Sequence, residues 1–527
     1  MRSRPRFLAS IAAFAILASI GVSHAGPVSP ADDFSATPTV DCSNDPLHES
    51  TQGRTPLADY AGGTSSRAAQ GYSCNAEQLA FVGADDGSTG GHGGYRVYRY
   101  VDSNGNICAF FDTTLLYPVN AKAGGTNLTG VWVLDMNPDH WVNGVPPRTA
   151  SLVTPAMQSS RESFSLNRSR GLLGAVFANP AFYHGQFDLY DVKDDCLHPT
   201  PLSTLPMGVL GHEGSFSPDG NTYFAASLYG HTLTAIDTSN PLATKIIWSS
   251  TKWNVHGMNV SDDGNLLYFA DVSRNGAPDI AGQTGTATKG LTILDVSQVQ
   301  SRQLNPNVEA AQDEDPFVPR VSHITWAHVG TPQTALPFTA PDPNNATVKR
   351  HYLVEIDEFG GVDNVGAARI IDVEDPTDPF VVSNMRLAVN NLAGQNDPDQ
   401  KADPAASNSL GGYRGHYCSI PRQDNPLLVA CSFILSGLRV FDISHLARPI
   451  EIAYFNKPSV ADGVGTTGYG PQGSYAMSQP AFDIAGRQIW YSDGNTGFYA
   501  LRIDDAVWPS GLADCGSTPD DPYCAHS

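Results

Sequence analysis

Four histidines in successive parts of the chain are the residues whose type and spacing could do chemistry. They are His212, His256, His323 and His416, and His328 is an alternative to the third. Neutral imidazole is a good ligand for transition metals, so four such side chains meeting at one point would form a metal site. The hairpin that follows each histidine fixes its position in the repeat. His212 and His256 each stand eight residues before the glycine of an Asp-Gly turn, so they occupy the same position. We expect one Fe, Cu, Zn or Mn ion there, or else no cofactor and simply solvated channel histidines.

Other polar and aromatic residues fall near the same positions. Glu162 and Glu213 could act as a further ligand or accept a hydrogen bond from an imidazole. The remaining candidates for a pocket beside the histidines are Trp253, Trp326, Tyr413, Arg414, Tyr417 and Gln479. Long insertions at 114–130, 273–289, 359–366, 390–412 and 456–473 are expected to wall this pocket, although some could be tolerated surface loops.

The elements that would position these residues come from an internal repeat. Seven apolar, strand-like runs each close on an aspartate followed by a turn. These aspartates are Asp135, Asp191, Asp237, Asp295, Asp372, Asp442 and Asp504. The spacing suits a four-stranded unit, and copies of such a unit stack radially into a closed ring without long open edges. The sequence therefore predicts an all-β, seven-bladed β-propeller, in which each aspartate accepts backbone N–H groups in the turn after it.

The order of strands within a repeat predicts how the ring closes. Each repeat has an inner strand, a second strand, a third strand ending in Asp, and an outer strand, but the last repeat has no outer strand. A spare strand at residues 79–83 precedes the first hairpin. We expect this N-terminal strand to complete the last blade. The inner strands would line the axial channel and place the histidines at one end of it.

Cysteine usage and the N-terminus indicate an exported protein. Residues 1–25 combine an Arg-rich start, an apolar middle and a small-residue exit, which is typical of a signal peptide. An even number of cysteines in an exported chain favours disulfides. Cys418 and Cys431 are expected to face each other across a hairpin, and the economical further pairs are Cys42 with Cys74, Cys108 with Cys196, and Cys515 with Cys524. The predicted division is a signal peptide at 1–25, an extension at 26–78, the propeller at 79–510 and a tail at 511–527.

The composition limits the kinds of molecule that the protein is expected to bind. The formal net charge is −22 with neutral histidines, and such an acidic protein repels phosphate backbones, which excludes nucleic acid as a partner. No second apolar segment follows the signal peptide, so the mature form is expected to lack a membrane span. The remaining partners are a small-molecule substrate, a glycan or a protein at the propeller face, and the location is secreted, periplasmic or at the cell envelope.

Three of the repeats resemble a known family. Residues 290–297, 368–379 and 437–444 read GLTILDVS, ARIIDVEDPTDP and GLRVFDIS, which is similar to the LVIVD repeat of secreted bacterial propeller proteins. The resemblance implies the architecture more than an activity. In outline, the four-histidine arrangement is also similar to propeller enzymes that hold iron or copper on the axis, such as carotenoid cleavage oxygenases and the selenium-binding protein family. Two hypotheses follow: an exported metal-dependent oxidoreductase or lyase, or a non-catalytic scaffold that binds a protein or glycan.

Overall fold

The computed structural model describes the chain in several ranges. These are residues 35–83, 93–113, 130–178, 185–207, 211–228, 231–272, 289–305, 315–358, 365–406, 412–459 and 474–512. The predicted signal peptide, the pair Cys515 and Cys524, and most of the predicted pocket-walling insertions lie outside the described residues. Within the insertion at 390–412, the described part contains two short helices.

Two short strands precede the first blade, and seven antiparallel sheets follow in a ring. The early strands are β1 (Tyr72–Cys74) and β2 (Ala76–Val82). Blade 1 contains β3 (Val97–Val101), β4 (Ile107–Asp112), β5 (Val131–Asp135) and β6 (Arg148–Leu152). Blade 2 contains β7 (Ser165–Asn167), β8 (Leu172–Val176), β9 (Gln186–Asp191) and β10 (Thr200–Pro206). Blade 3 contains β11 (Glu213–Phe216), β12 (Thr222–Ser227), β13 (Thr232–Asp237) and β14 (Lys245–Ser250).

The remaining four blades keep this strand order. Blade 4 contains β15 (Val255–Val260), β16 (Leu266–Asp271), β17 (Gly290–Asp295) and β18 (Arg320–Ile324). Blade 5 contains β19 (Thr331–Asp342), β20 (Asn345–Glu358), β21 (Ala368–Asp372) and β22 (Phe380–Met385). Blade 6 contains β23 (Gly415–Ser419), β24 (Leu428–Phe433), β25 (Gly437–Asp442) and β26 (Ile450–Asn456). Blade 7 contains β27 (Ala481–Asp483), β28 (Gln488–Asp493) and β29 (Gly497–Ile503). The predicted seven-bladed propeller is confirmed.

The repeated aspartates have the local role that their position after a strand predicts. In every blade the carboxylate accepts a hydrogen bond from the backbone N–H two residues further on. The acceptors are Asp135, Asp191, Asp237, Asp295, Asp372, Asp442 and Asp504. The turn after each third strand is thereby fixed by a short side chain, which explains why the repeat keeps aspartate.

The N-terminal segment closes the ring. Strand β2 pairs antiparallel with β29, with Val82 opposite Phe498 and Ala76 opposite Ile503, and so supplies the outer strand of blade 7. The closing strand begins earlier than the predicted residue 79. The preceding strand, β1, was not predicted, and it adds a fifth strand to blade 6 by pairing with β26. The start of the chain therefore covers one blade edge and completes the next blade.

Three disulfides support this arrangement. Cys418 and Cys431 lie opposite each other on β23 and β24, as the hairpin register predicts. The Cys42–Cys74 and Cys108–Cys196 pairs are also present. The former links the early chain to β1, and the latter links β4 of blade 1 to the segment between β9 and β10 of blade 2. Disulfides are typical of proteins that mature in an oxidising compartment.

In the described part of the chain, helices are short and lie at the periphery. Helices α1 (Pro155–Gln158), α2 (Ser297–Gln300), α3 (Leu392–Asn396) and α4 (Pro398–Lys401) lie in connections. The 3₁₀ turns are Leu57–Tyr60, Gly63–Ser65, Ala68–Gln70, Pro138–His140 and Ala388–Asn390. Among the described residues, no helix is both long and apolar enough to span a bilayer. The apolar core instead lies between blades, where large side chains such as Phe110, Trp132 and Trp490 are almost completely buried.

Candidate metal centre

The beginnings of the inner strands bring histidines to the channel. In blades 4 and 6 the ladder between the first two strands shifts register around His256 and His416. A bulge leaves a residue out of the regular pairing and can re-aim its side chain, as often happens beside functional sites. Gly257 follows one histidine, and an added Cβ there would overlap the carbonyl oxygen of Gln333. Close approach between neighbouring blades therefore accompanies the placement of these imidazoles.

Three of the predicted histidines converge on the carboxylate of Glu162. The Nε2 atom of His212 lies 2.7 Å from Glu162 Oε2, and Nε2 of His256 lies 3.4 Å from the same oxygen. The Nε2 atom of His416 lies 3.4 Å from Glu162 Oε1. Potential ligand atoms of Glu162, His212 and His256 all lie within 4.8 Å of one another. The four side chains come from different blades and are buried.

Glu162 reaches this central position from a tight turn that precedes β7. The turn is closed by the backbone N–H of Ser163, which donates to the carbonyl of Ser160. The Ser163 hydroxyl donates to the same carbonyl at 2.6 Å, and Arg161 has a positive φ of 45°. We expected Glu162 to be a further ligand or an acceptor for an imidazole, and in the structure three histidines meet at its carboxylate.

A second carboxylate was missed by sequence reasoning. Glu358 ends β20, and its Oε2 lies 3.6 Å from Nε2 of His256 while its Oε1 lies 3.4 Å from Nε2 of His416. It belongs to the second strand of blade 5, whereas our comparison of repeats considered only the starts of inner strands. Glu358 could have been found as an acidic residue at the end of the strand that pairs with the inner strand β19, where it lies opposite Thr331 at the start of β19.

The prediction for the fifth repeat is corrected by the structure. His323 lies on β18, the outer strand of blade 4, where its Nδ1 is 2.8 Å from the Thr292 hydroxyl and 3.9 Å from Asp271. It therefore does not join the other three at the channel. His328 lies in the connection before β19, with a φ of 56°, and its carbonyl accepts a hydrogen bond from Val365. The inner strand of blade 5 begins only at Thr331, which is why the predicted register failed.

The distal nitrogens of two imidazoles are held by the backbone. Nδ1 of His256 is 2.8 Å from the Pro332 carbonyl, and Nδ1 of His416 is 2.5 Å from the Met477 carbonyl. A carbonyl can only accept, so each Nδ1 carries the proton and donates. In the neutral ring this leaves the Nε2 lone pair directed at the carboxylates. Histidine ligands of metals usually have such a second hydrogen bond, which fixes the tautomer and the ring orientation.

Burial and mutual charge shift the pKa values of these groups. Burial opposes ionisation of Glu162, but the charge and hydrogen bonds of the histidines, His212 first, hold its pKa well below the ordinary value. Burial alone would lower the pKa of His256, yet Glu162 and Glu358 raise it to about 9. The same competition raises the pKa of His416 to about 10, whereas burial prevails at His212 and lowers its pKa. Without a metal, His256 and His416 are therefore imidazolium groups beside the carboxylates, whereas burial favours the neutral ring of His212.

A second polar layer borders this cluster and is paired within itself. Arg96 Nη2 donates to Glu213 Oε2 at 2.5 Å, and Arg96 Nη1 donates to Gln479 Oε1 at 2.7 Å. The Tyr417 hydroxyl donates to the other oxygen of Glu213. Burial raises the pKa of Glu213 to about 7 in spite of the opposing charge of Arg96. Glu213, Tyr417 and Gln479 thus belong to a buried ion-pair network around Arg96, which the sequence analysis did not single out.

The other predicted pocket residues have structural surroundings. Trp253 packs against Phe269 in the apolar core that joins blades 3 and 4. Trp326 donates from Nε1 to Asp357 at 3.0 Å and lies under the guanidinium of Arg369, which is 3.9 Å from the ring centroid.

The last two predicted pocket residues lie next to each other in the chain. The Tyr413 hydroxyl donates to the Thr55 carbonyl and so anchors the N-terminal extension. Arg414 is half-buried, and burial lowers its pKa. These contacts give Tyr413 a structural role, and they place neither residue among the groups that converge on Glu162.

Similarity to known proteins is weak. No family model and no curated protein matches the chain. Among solved structures, the periplasmic gluconolactonase PpgL of Pseudomonas aeruginosa is 11% identical, with a TM-score of 0.43, over 71% of this chain and 92% of that one. Hydrazine synthase of Kuenenia stuttgartiensis is 10% identical, with a TM-score of 0.43, over 80% and 98% of the two chains. A putative 6-phosphogluconolactonase of Bacteroides uniformis is 12% identical, with a TM-score of 0.41, over 75% and 87%.

The donor set itself limits the chemistry. Imidazole nitrogens combined with carboxylate oxygens suit Zn, Fe, Cu or Mn better than a cation that requires only oxygen ligands. A bound ion of this kind could polarise a substrate oxygen, activate water or exchange electrons. Glu162, His212 and His256 form the nucleus of such a site, with His416 and Glu358 beside it.

Proposed function

We propose that the protein is an exported metalloenzyme that holds one transition metal ion at the mouth of the propeller channel. The observation that carries this proposal is the convergence of three imidazole Nε2 atoms on the Glu162 carboxylate, with the Nδ1 atoms of His256 and His416 already engaged by backbone carbonyls. The ligands are Glu162, His212 and His256, completed by His416 or Glu358. A buried cluster oriented in this way has little conformational entropy left to lose when an ion binds.

An ion also resolves the electrostatics of the cluster. Two buried carboxylates, Glu162 and Glu358, face the same histidines within 3.6 Å. Two carboxylates that contact the same buried histidines are like charges away from water, and they are costly unless cations compensate them. A divalent ion supplies that compensation at one point and accepts the imidazole lone pairs at the same time. Loading the site should therefore stabilise the centre of the ring.

The reaction class that fits is an oxidoreductase or a lyase. A redox-active ion would serve the first, and an ion that polarises a substrate oxygen would serve the second. The three disulfides and the apolar, Arg-led N-terminus support export to the periplasm, cell envelope or medium, and the repeats that resemble LVIVD sequences are consistent with that setting.

Metal content of the natively exported protein tests the proposal. We expect about one equivalent of Fe, Cu, Zn or Mn by elemental analysis, and the His256→Ala variant should lose most of it. His231→Ala is the matched control, because His231 stands beside β13 away from the channel and bonds Asn254 through Nδ1 at 2.9 Å. His323→Ala, on the outer strand of blade 4, should also retain the metal.

Two outcomes would contradict the proposal. Wild-type protein that binds no transition metal, even after chelation and titration with each ion, would leave a self-paired carboxylate–imidazolium cluster in a non-catalytic scaffold. Equal loss of metal from the His256 and His231 variants would mean that the ion binds elsewhere. The scaffold alternative would then be pursued with protein and glycan ligands.

A further inference from the structure

The place in blade 5 that corresponds to the histidines of blades 4 and 6 is taken by Gln333. The ladder between β19 and β20 shifts register between Pro332 and Thr334, so Gln333 occupies the bulge. His416 lies at the same point in blade 6, where the register shifts between Gly415 and Tyr417. In blade 4 the shift between Val255 and Met258 includes His256. Three consecutive blades therefore place a polar side chain at one structural position.

The contacts around Gln333 place it on the wall of the metal centre. The carbonyl of the preceding residue, Pro332, accepts the hydrogen bond from His256 Nδ1. The carbonyl of Gln333 itself approaches Gly257 so closely that a Cβ there would overlap it. On the other edge of the same hairpin, Glu358 pairs with Thr331 and contacts both His256 and His416. Blade 5 thus already contributes one side chain to the cluster from the strand beside Gln333.

The side chain of Gln333 is completely buried, with a relative exposure of 0%, and neither its Oε1 nor its Nε2 has a hydrogen-bond partner among the described residues. Burying an amide without partners costs about 1–3 kcal/mol. The other buried glutamines at comparable depth are paired: Gln479 bonds Arg96, and Gln400 donates to the Val389 carbonyl at 2.9 Å. An unpaired amide at a repeated polar position indicates a partner outside the described residues.

We propose that Gln333 is the blade 5 member of the metal centre, and that its amide oxygen binds the ion or the water that the ion carries. This inference rests on the proposed metal site. An amide oxygen is an acceptable ligand for Mn, Fe or Zn and, unlike imidazole, it is not competed for by protons near neutral pH. The site then has three histidines, one amide and two carboxylates around a single point, drawn from blades 2 to 6.

Replacing Gln333 with leucine tests the proposal, because leucine keeps the approximate volume but removes both polar atoms. The probe is the metal alone: Zn²⁺ or Mn²⁺ titrated into the chelated full-length protein, with thermal unfolding of the same samples. We expect metal affinity to fall roughly 10- to 100-fold, the range found when groups that support a metal site are removed. The metal-free variant should melt at or above the wild-type temperature, since the unpaired buried amide is gone.

Gln400→Leu is the matched control. It removes a buried glutamine that is hydrogen-bonded within the protein, so its melting temperature should fall while metal affinity stays unchanged. Gln333→His, which restores the residue type of blades 4 and 6, should retain metal binding and provides a second variant if leucine impairs folding.

The outcomes separate this inference from the proposed function. If wild type binds metal and Gln333→Leu binds it equally well, the role of Gln333 is wrong and the metal centre stands. If metal-free Gln333→Leu is destabilised and its metal affinity is unchanged, the amide is a structural group with a partner in the protein. If wild type binds no metal, both proposals are wrong.

Discussion

Two of the buried clusters in this propeller that bring carboxylates together with cationic side chains differ in what the cation is. One is the candidate metal centre, formed by Glu162, Glu358, His212, His256 and His416. The other, which we call the Arg439 clasp, consists of Arg439, Glu49, Glu451 and Gln52. In the clasp Arg439 Nη1 lies 2.7 Å from Glu49 and 3.2 Å from Glu451, and Gln52 donates to Glu451 at 2.7 Å. Arg439 and Glu451 both have 0% exposure, so the two clusters are equally removed from water.

The clasp is filled by a permanent charge. Burial alone would lower the pKa of Arg439, but Glu49 and Glu451 raise it further above its ordinary value, so the guanidinium stays protonated. The planar group donates to several acceptors at once, including the Ser436 carbonyl. Since Glu49 and Gln52 belong to the N-terminal extension, and Arg439 and Glu451 belong to blade 6, the clasp holds that extension against the ring.

In the candidate metal centre, the cationic groups are histidines, whose charge depends on protonation. Imidazoles can give up their protons and present lone pairs, whereas a guanidinium cannot. The clasp therefore suits a structural role, while the proposed metal site requires side chains, such as histidines, that can exchange their protons for an ion. The difference predicts that breaking the clasp costs mainly stability and that breaking the centre costs mainly metal.

The largest expected loss of stability follows from Arg439→Met. This change leaves Glu49 and Glu451 buried near each other without a cation, and such broken pairs cost about 3–5 kcal/mol. We expect a lower denaturant midpoint and faster proteolysis of residues 35–71, measured on the exported protein. Metal content per folded molecule should be unchanged.

Arg502→Met is the control for that experiment, because Arg502 pairs with Asp505 at the surface and its side chain is 43% exposed. Its loss should change stability by less than about 1 kcal/mol. A similarly small effect of Arg439→Met would show that the clasp does not hold the extension.

Glu162→Gln should have the opposite effects: a smaller loss of stability and a large loss of metal binding. Glutamine keeps one acceptor oxygen but removes the negative charge shared by His212, His256 and His416, and these rings can become neutral instead of remaining as buried charges. We expect a stability loss of about 1–3 kcal/mol in the metal-free protein, the cost of disturbed buried hydrogen bonds. Transition-metal binding should fall by at least about 100-fold in the same titration that is used for wild type.

Asp188→Asn is a suitable control for this variant. Asp188, like Glu162, is a buried carboxylate of blade 2. It accepts hydrogen bonds from Ala156 and Thr204 instead of contacting the histidines. Metal binding equal to wild type in Glu162→Gln would remove Glu162 from the ligand set and would favour His416 and Glu358 as the true core of the site.

The fold was predictable because its signals are local and repeated. Each third strand ends in an aspartate that closes the next turn, so the sequence marks the same position seven times. Likewise, Cys418 and Cys431 are equally far from one turn and must face each other once the hairpin forms. Local signals of this kind do not depend on the lengths of the loops, so they can be read from the sequence in every repeat.

The site was predictable only in part, because it depends on distances between blades. His212 and His256 were found through the register of short hairpins. Blade 5 departs from that pattern: β19 and β20 have 12 and 14 residues, so the strand start and its bulge moved away from the predicted histidine. Glu358 stands at the end of a second strand and Gln333 in a bulge, and the repeat pattern marks neither position. Only the three-dimensional arrangement brings Glu358 beside His256 and His416, and the Gln333 carbonyl beside Gly257.

An imidazole–carboxylate pair at the surface extends the comparison, and the effect of breaking it should be the smallest. His351 in blade 5 lies 2.9 Å from Glu374 through Nδ1 and 3.7 Å from Asp262 of blade 4 through Nε2, with its side chain 46% exposed. Hydrogen bonding to Asp262 raises its pKa to about 9, in spite of partial burial and with help from Glu374. The folded pKa lies above the unfolded value, so the pair stabilises the protein fully below about pH 6.5 and loses that contribution as pH rises through 9.

Solvent screening limits this contribution to a few tenths of a kcal/mol, about the size measured for exposed ion pairs. The measurement is the free energy of unfolding of wild type and His351→Gln between pH 6 and 10 in the presence of a chelator. The difference between the two proteins should shrink across that range, because glutamine does not titrate. A difference that stays constant would mean that His351 contributes by packing and neutral hydrogen bonding. A difference of several kcal/mol between the two proteins would mean that solvent does not screen this exposed pair. Burial would then not be the reason why charges in the two buried clusters matter more than charges at the surface.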